Sequence, residues 1–221
     1  MEEKLLENLE LEAEEITIRG KELKIFKPKR LEDVFQGDPF FEVEKFPFWF
    51  KIWEGSIILA DYLATLKPPK KILELGAGLG VPSLVASSFG HEVIASDYEL
   101  LPLKLIELSA KANTLKVKTM VLDWKQPQLY EKFDLIVGAE VIFKTSLFEP
   151  LLELFIKFLN EKGEIILAHS SERKRILIPF LYKAQQFFEV LTSIRKLKTE
   201  DEVIEIVLNK LLPKKDLIFK T

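Results

Sequence analysis

The chain has 221 residues, 48% hydrophobic and 30% charged, with a formal net charge of −3. That suffices for one ordinary domain with a full core, and it lacks the basic excess of a general nucleic-acid binder. With no cysteine and two histidines, the chain has no disulfide framework and no thiolate nucleophile, and the composition argues against a metal site.

The elements follow in chain order. The start, MEEKLLENLELEAEE, is rich in glutamate and has no apolar core, so it is not read as a signal peptide. Residues 1–15 are expected to form an acidic amphipathic helix through Leu5, Leu6 and Leu9, or to be disordered. Alternation in EITIRGKELKIFKP around Gly20-Lys21 predicts a β-hairpin, and a loop rich in Phe, Pro and Gly follows. From Gly55 the pattern is helical until Pro68-Pro69.

Strand and helix then alternate. KILEL, HEVIASD, VKTMVLDW, FDLIVGAEVIF and EIILAHS read as five strands. Pro82 suits the first turn of the helix after the first of them, which ends at Gly90. Ser146 with Glu149 reads as a capping box for a helix ended by Gly163. After a helix near 172–187, FEVLTSIRKLK and DEVIEIVLNKL alternate and read as an antiparallel pair. Such a pattern predicts an α/β, Rossmann-like sheet of seven strands, mostly parallel with a C-terminal antiparallel hairpin and helices on both faces. No stretch is long and apolar enough to span a membrane, so a soluble, cytoplasmic chain is expected.

The strand KILEL runs into LGAGLG, with Gly76, Gly78 and Gly80 in five residues. In an open parallel sheet, ligands gather at the carboxyl ends of the strands, and a helix N-terminus there suits an anionic group. A dinucleotide fingerprint needs glycine where this chain has Val81. Asp97 ends the second strand at the spacing of a carboxylate that grips ribose hydroxyls. A ribose belongs to dinucleotides and to other nucleoside cofactors alike, so Asp97 does not choose between them. His169, at the end of the fifth strand, reads as a satisfied edge histidine rather than a catalyst.

Taken together, ILELGAGLGVPS, SDY, LDW and DLIVGAEVIF resemble the seven-β-strand methyltransferases that use S-adenosylmethionine. With FPFWFKIWEGSIILADYL ahead of the glycines, the chain is similar to the family-16 protein-lysine methyltransferases from about Phe46 to Leu208. The resemblance implies a methyltransferase domain over residues 46–221 after an N-terminal extension, 1–45. It also implies a role for each matched residue. Trp53 would lie over the methionine end of the cofactor. Glu74 and the backbone of Gly76, Ala77 and Gly78 would line its amino-acid and ribose parts. Asp97 would take the ribose hydroxyls with Tyr98 beside it, Asp123 and Trp124 would bracket the adenine, and Ala139 would present backbone to the sulfonium. Glu140 and Phe143 match the family's acid-x-x-aromatic substrate element, with Phe143 where members often have Tyr.

The chemistry of these residue types agrees. An indole stacks on adenine and attracts a sulfonium cation, and a carboxylate accepts two hydrogen bonds from a ribose diol. Glu140 follows an apolar run, where a carboxylate needs a partner. The function implied is methyl transfer from S-adenosylmethionine, giving S-adenosylhomocysteine, to a lysine of a protein substrate. A small-molecule or protein-histidine methyltransferase of the same fold, or a cofactor-holding binding module, is the alternative.

Overall fold

The computed structural model describes residues 4–198 and 202–215; residues 1–3 of the segment expected to be helical or disordered lie outside it. In chain order the elements are α1 (Lys4–Glu7), β1 (Leu11–Ile18), β2 (Lys21–Pro28), α2 (Glu54–Leu63), β3 (Lys71–Glu74), α3 (Val81–Ser88) and β4 (Glu92–Asp97). There follow α4 (Leu100–Ala112), β5 (Val117–Val121), β6 (Phe133–Ala139), α5 (Phe148–Phe158), β7 (Leu159–Ser170), α6 (Lys174–Ala184), β8 (Phe188–Lys198) and β9 (Val203–Pro213).

Seven strands form one sheet in the order β5-β4-β3-β6-β7-β9-β8. The pairs from β5 to β7 are parallel, and β9 is antiparallel to both β7 and β8, as the alternation predicts. Period-2 patterning divides the core between the two faces. Ile72, Val93, Leu135, Val137 and Ile166 pack with Leu59 and Leu63 of α2 and Ala86 of α3. Their neighbours Leu73, Ile94, Ile136 and Ile165 pack on the other side with Leu151, Phe155 and Phe180 of α5 and α6. Central strands buried on both faces explain why these runs are almost wholly apolar.

The N-terminal hairpin differs from expectation in two ways. The strand begins at Leu11, so residues 11–15 are extended and only Lys4–Glu7 is helical. The turn residues are Arg19 and Gly20, both with positive φ (48° and 77°), flanked by the pair Ile18–Lys21. That is the mirror-image turn whose twist suits a hairpin.

The hairpin is stitched to the sheet's helices. The Phe26 amide donates to Ser109 Oγ at 2.9 Å, and the Asn113 side chain both accepts from the Lys24 amide (3.0 Å) and donates to its carbonyl (2.8 Å). Ile18, Leu23 and Ile25 share a buried cluster with Leu79, Leu84 and Leu105. The extension therefore forms a third layer over α3 and α4.

Two local expectations fail. No side chain caps α5; a 3-10 turn at Thr145–Leu147 precedes it, Ser146 is exposed, and Glu149 pairs with Lys183 instead. Gly163 lies inside β7, because the chain passes directly from Phe158 into the strand and a register shift at Phe133/Leu135 absorbs the extra residues.

Ile25 is fully buried in the shared cluster. Ile25→Ala should lower the unfolding free energy of the whole chain by about 2–5 kcal/mol. Urea unfolding followed by tryptophan fluorescence, with Trp124 packed on the main core, measures it; an unchanged midpoint would mean that the hairpin is an independent appendage.

Candidate active site

The sheet order reverses between β3 and β6: the chain steps outward from β3 through β4 to β5, then returns to β6 on the other flank of β3. At such a switch the connections leave in opposite directions and open a crevice at the strands' carboxyl ends. The segments expected to form the site, 74–78, 97–98, 123–124 and 139–143, all follow the carboxyl ends of β3, β4, β5 and β6. A groove of about 600 Å³ lies at the opposite edge, against Lys71, His91, Glu92 and Val117, and none of the expected residues lines it.

The glycine turn is largely satisfied from within. Gly76, Gly78 and Gly80 have φ of 56°, 53° and 70°, a region open to glycine at little cost. Gly80 serves packing rather than a ligand: a Cβ there would stand 2.6 Å from Ile106 Cγ1 of α4. The Ala77 amide donates to the Ser96 carbonyl at 2.9 Å, and the Gly78 amide to Asp97 Oδ2 at 2.9 Å. Two of the three amides expected to line a cofactor are thus already engaged.

Glu74, expected to line the cofactor with these amides, lies beneath the turn. It is 2% exposed, and the Ser83 amide (3.0 Å) and hydroxyl converge on its Oε2. The carboxyl therefore caps α3 from beneath the turn. Burial, with the nearby Asp97 charge as a lesser contribution, raises its pKa to about 8 against these hydrogen bonds.

Asp97 links the β3 turn to the β4 tip: Oδ2 takes the Gly78 amide, and Oδ1 takes the Glu99 amide at 3.1 Å. Burial raises its pKa, and the Gly78 and Glu99 amides oppose the rise. Tyr98 beside it is exposed, as is Asp123, whose Oδ1 accepts the Lys125 amide at 2.9 Å. Trp124 is half-buried; its ring would lie 3.5 Å from a Cβ on Gly76 and stands 6.3 Å from the Phe143 ring, between centroids.

Two tryptophans precede α2, and the structure separates their duties. Trp53 caps α2 without a side-chain bond to the helix; its Nε1 donates to the Phe48 carbonyl at 2.6 Å, and the Lys51 ammonium sits 4.8 Å from its ring centre. Trp49, which the sequence reading passed over, is buried against the turn. Its Cβ would lie 3.4 Å from a Cβ on Gly78, and its Nε1 donates to Glu99 Oε2 at 3.0 Å. The aromatic density of FPFWFKIW was the available signal; which indole turned inward was not.

Ala139 ends β6, half-buried and paired with Ala168. Glu140 then takes φ of +58°, unfavourable for a residue with a side chain. Its amide donates to the Ala168 carbonyl at 2.9 Å, and its Oε1 accepts the Ser170 amide at 2.6 Å. Arg173 Nε lies 3.1 Å from Oε2, an ion pair not aligned as a hydrogen bond, so this buried oxygen has no donor. Burial raises the Glu140 pKa, while the Ser170 amide and the Arg173 charge oppose the rise. Phe143 is exposed at the loop's end. Ser170 and Arg173 were not foreseen; the charged run SERKR directly after a strand was the only hint.

The raised carboxyl of Glu74 gives a pH test. The folded state holds its proton up to about pH 8 whereas an unfolded Glu loses it near 4.5, so stability falls as pH rises between those values. Glu74→Gln keeps an acceptor for Ser83 and has no proton to lose. It should flatten the decline between pH 5 and 8 and gain, relative to the parent at pH 8, on the order of 3–5 kcal/mol. Asp97, Glu99 and Glu140 are shifted in the same direction, so the slope shrinks without vanishing. Urea midpoints at the two pH values decide; parallel declines in both chains would contradict the assignment.

Comparison with known proteins follows the same lines. A model of the lysine methyltransferase family matches residues 48–208. The protein N-lysine methyltransferase METTL21A of Xenopus tropicalis is 26% identical over 126 residues, 53% of this chain and 58% of that one. The histone-arginine methyltransferase METTL23 of Xenopus laevis is 31% identical over 131 residues, 55% of this chain and 56% of that one. The chain thus spans under three fifths of either relative's own length. Among solved structures, the Thermus thermophilus 16S rRNA N2 G1207 methyltransferase RsmC, in complex with AdoMet and guanosine, superposes with a TM-score of 0.63 at 17% identity, over 92% of this chain and 51% of that one. At that identity the likeness shows the fold alone, a mostly parallel seven-stranded sheet between helices. With a family match over residues 48–208 and this fold beneath it, the chain belongs to the lysine methyltransferase family.

Proposed function

We propose that the chain transfers a methyl group from S-adenosylmethionine to a nitrogen on a protein side chain, with lysine the favoured acceptor. The observation that carries this reading is the position of Trp124. Its ring would lie 3.5 Å from a Cβ on Gly76 and stands 6.3 Å from the Phe143 ring between centroids, so one indole lies between the glycine turn and the acid-x-x-aromatic loop.

The residues present fit the cofactor. Asp97 takes one backbone amide on each carboxylate oxygen, and the lone pairs that remain can accept two ribose hydroxyls. Trp124 offers a flat face for adenine, with Asp123 and Tyr98 exposed beside it. The Lys51 ammonium on the Trp53 ring supports the reading that this indole attracts cations. Bound S-adenosylmethionine supplies an electrophilic methyl on a sulfonium and leaves as S-adenosylhomocysteine after direct displacement.

The chain's own part is alignment, desolvation and charge. A lysine must be neutral to attack, and an apolar slot lowers its pKa. Phe143 and Phe48, half-exposed, are the walls proposed for that slot. Glu140 is proposed to face the new cation, its carboxylate fixed by Ser170 so that no reorganisation is needed when charge appears. Arg173 shares the carboxylate from the Oε2 side.

Incubation with methyl-labelled S-adenosylmethionine and fractionated cell lysate tests the reading. Label in a protein band, on lysine by mass spectrometry, is the expected result. Label confined to the small-molecule fraction, or cofactor binding with no transfer, would overturn it. Glu140→Gln in the same assay should hold S-adenosylhomocysteine as tightly as the parent and transfer about 100- to 1000-fold more slowly; parental rates would remove Glu140 from the chemistry.

A further inference from the structure

His169 is fully buried in β7, inside the strand rather than at an edge, and only half of its imidazole is satisfied. Its Nε2 accepts the Ile142 amide at 3.0 Å, while Nδ1 is buried with no partner. An Nε2 that accepts carries no hydrogen, so the ring proton sits on Nδ1, where it meets no acceptor. For stability alone the histidine gains little over an apolar side chain, since it satisfies the buried Ile142 amide but leaves its own Nδ1–H unmet. Such local violations gather at functional sites.

We propose that His169 is a positioning residue, holding the loop from Glu140 to Phe143 in the geometry that methyl transfer needs. The inference rests on reading the chain as a methyltransferase. Glu140 keeps its unfavourable φ of +58°, and such a backbone persists only where its surroundings over-determine it. Three ties from consecutive residues of β7 do so: the Ala168 carbonyl takes the Glu140 amide, the Ser170 amide reaches Oε1, and His169 takes the Ile142 amide. The Ala168 carbonyl and the Ser170 amide are backbone groups that any residue would provide, so on the β7 side the His169 tie is the one made by a side chain. The His169 tie grips Ile142, the residue next to Phe143. Burial, with the Arg173 charge, lowers the His169 pKa to about 3, so the Nε2 lone pair stays available at ordinary pH.

Three chains test this: the parent, His169→Leu and His169→Gln, whose side-chain carbonyl reaches about as far as Nε2. Each is assayed for melting temperature, S-adenosylhomocysteine affinity by calorimetry, hydrogen exchange of the Ile142 amide, and transfer of label from S-adenosylmethionine to lysate protein. The leucine variant should melt near the parent, bind the product normally and exchange the Ile142 amide faster. It should transfer at least about tenfold more slowly, since small misplacements at a reacting centre are costly. The glutamine variant should recover most of both the protection and the rate. A leucine variant as active as the parent, or a glutamine variant no better than leucine, would overturn the inference. If the leucine chain does not fold, His169→Asn replaces it, because its shorter amide cannot reach Ile142; equal rates for Asn and Gln overturn the claim. A parent that binds product and transfers nothing defeats the proposed function itself, and this inference with it.

Discussion

The adjacency of β3 and β6 at the sheet's reversal is the constraint on which the site depends. Each parallel strand delivers its last residues to the same edge of the sheet, and only at the reversal do the connections part. The glycine turn after β3 and the Glu140 loop after β6 are therefore neighbours because of strand order, before any side chain is chosen. Side chains then secure that adjacency. Asp97 ties the β4 tip to the Gly78 amide, Val141 from the loop would stand 3.2 Å from a Cβ on Gly76, and Trp124 closes the same contact from β5. An insertion that changed the strand order would dissolve the site however well each motif was kept.

Four carboxyl groups share this edge, from the buried Glu74 to the exposed Glu99. Glu74, Asp97, Glu99 and Glu140 all have pKa values raised by burial. Glu74 keeps its proton to about pH 8, and the oxygens of the four groups are met mainly by amides, by the Ser83 hydroxyl and by the Trp49 N–H rather than by cations. Arg173 is the cation paired with one of them among the described residues. Fixed dipoles hold the carboxyl groups of Asp97, Glu99 and Glu140 in place without cancelling the charge they carry when ionised, at low reorganisation cost. That setting suits a sulfonium and a newly formed ammonium, which supports the proposed chemistry.

Much of the fold was legible because β3, β4, β6 and β7 are apolar runs closed by glycine, proline or charge, a pattern set by burial on both faces. The antiparallel β8–β9 pair was legible from its alternation. What escaped the reading depends on partners distant in sequence. Gly80 is needed because Ile106 crosses it, and Gly163 falls inside a strand because β6 and β7 shift register. Ser146 and Glu149 have the spacing of a capping box, but Lys183 claims Glu149. At the site the motifs located Asp97, Trp124, Glu140 and Phe143 on one edge. They could not say that Glu74 would turn under to cap α3, that Trp49 would lie on Gly78, or that His169 and Arg173 would hold the Glu140 loop. Each of those facts is a side-chain direction fixed by packing.

The central claim is that the carboxyl edge of β3, β4, β5 and β6 is the cofactor site. A crystal structure of the chain with S-adenosylhomocysteine tests it most directly. The account predicts the ribose hydroxyls on Asp97, the adenine against Trp124 and the sulfur facing Ala139 and Glu140. Product bound instead in the groove lined by His91 and Lys71, at the amino-terminal edge of the same strands, would contradict it.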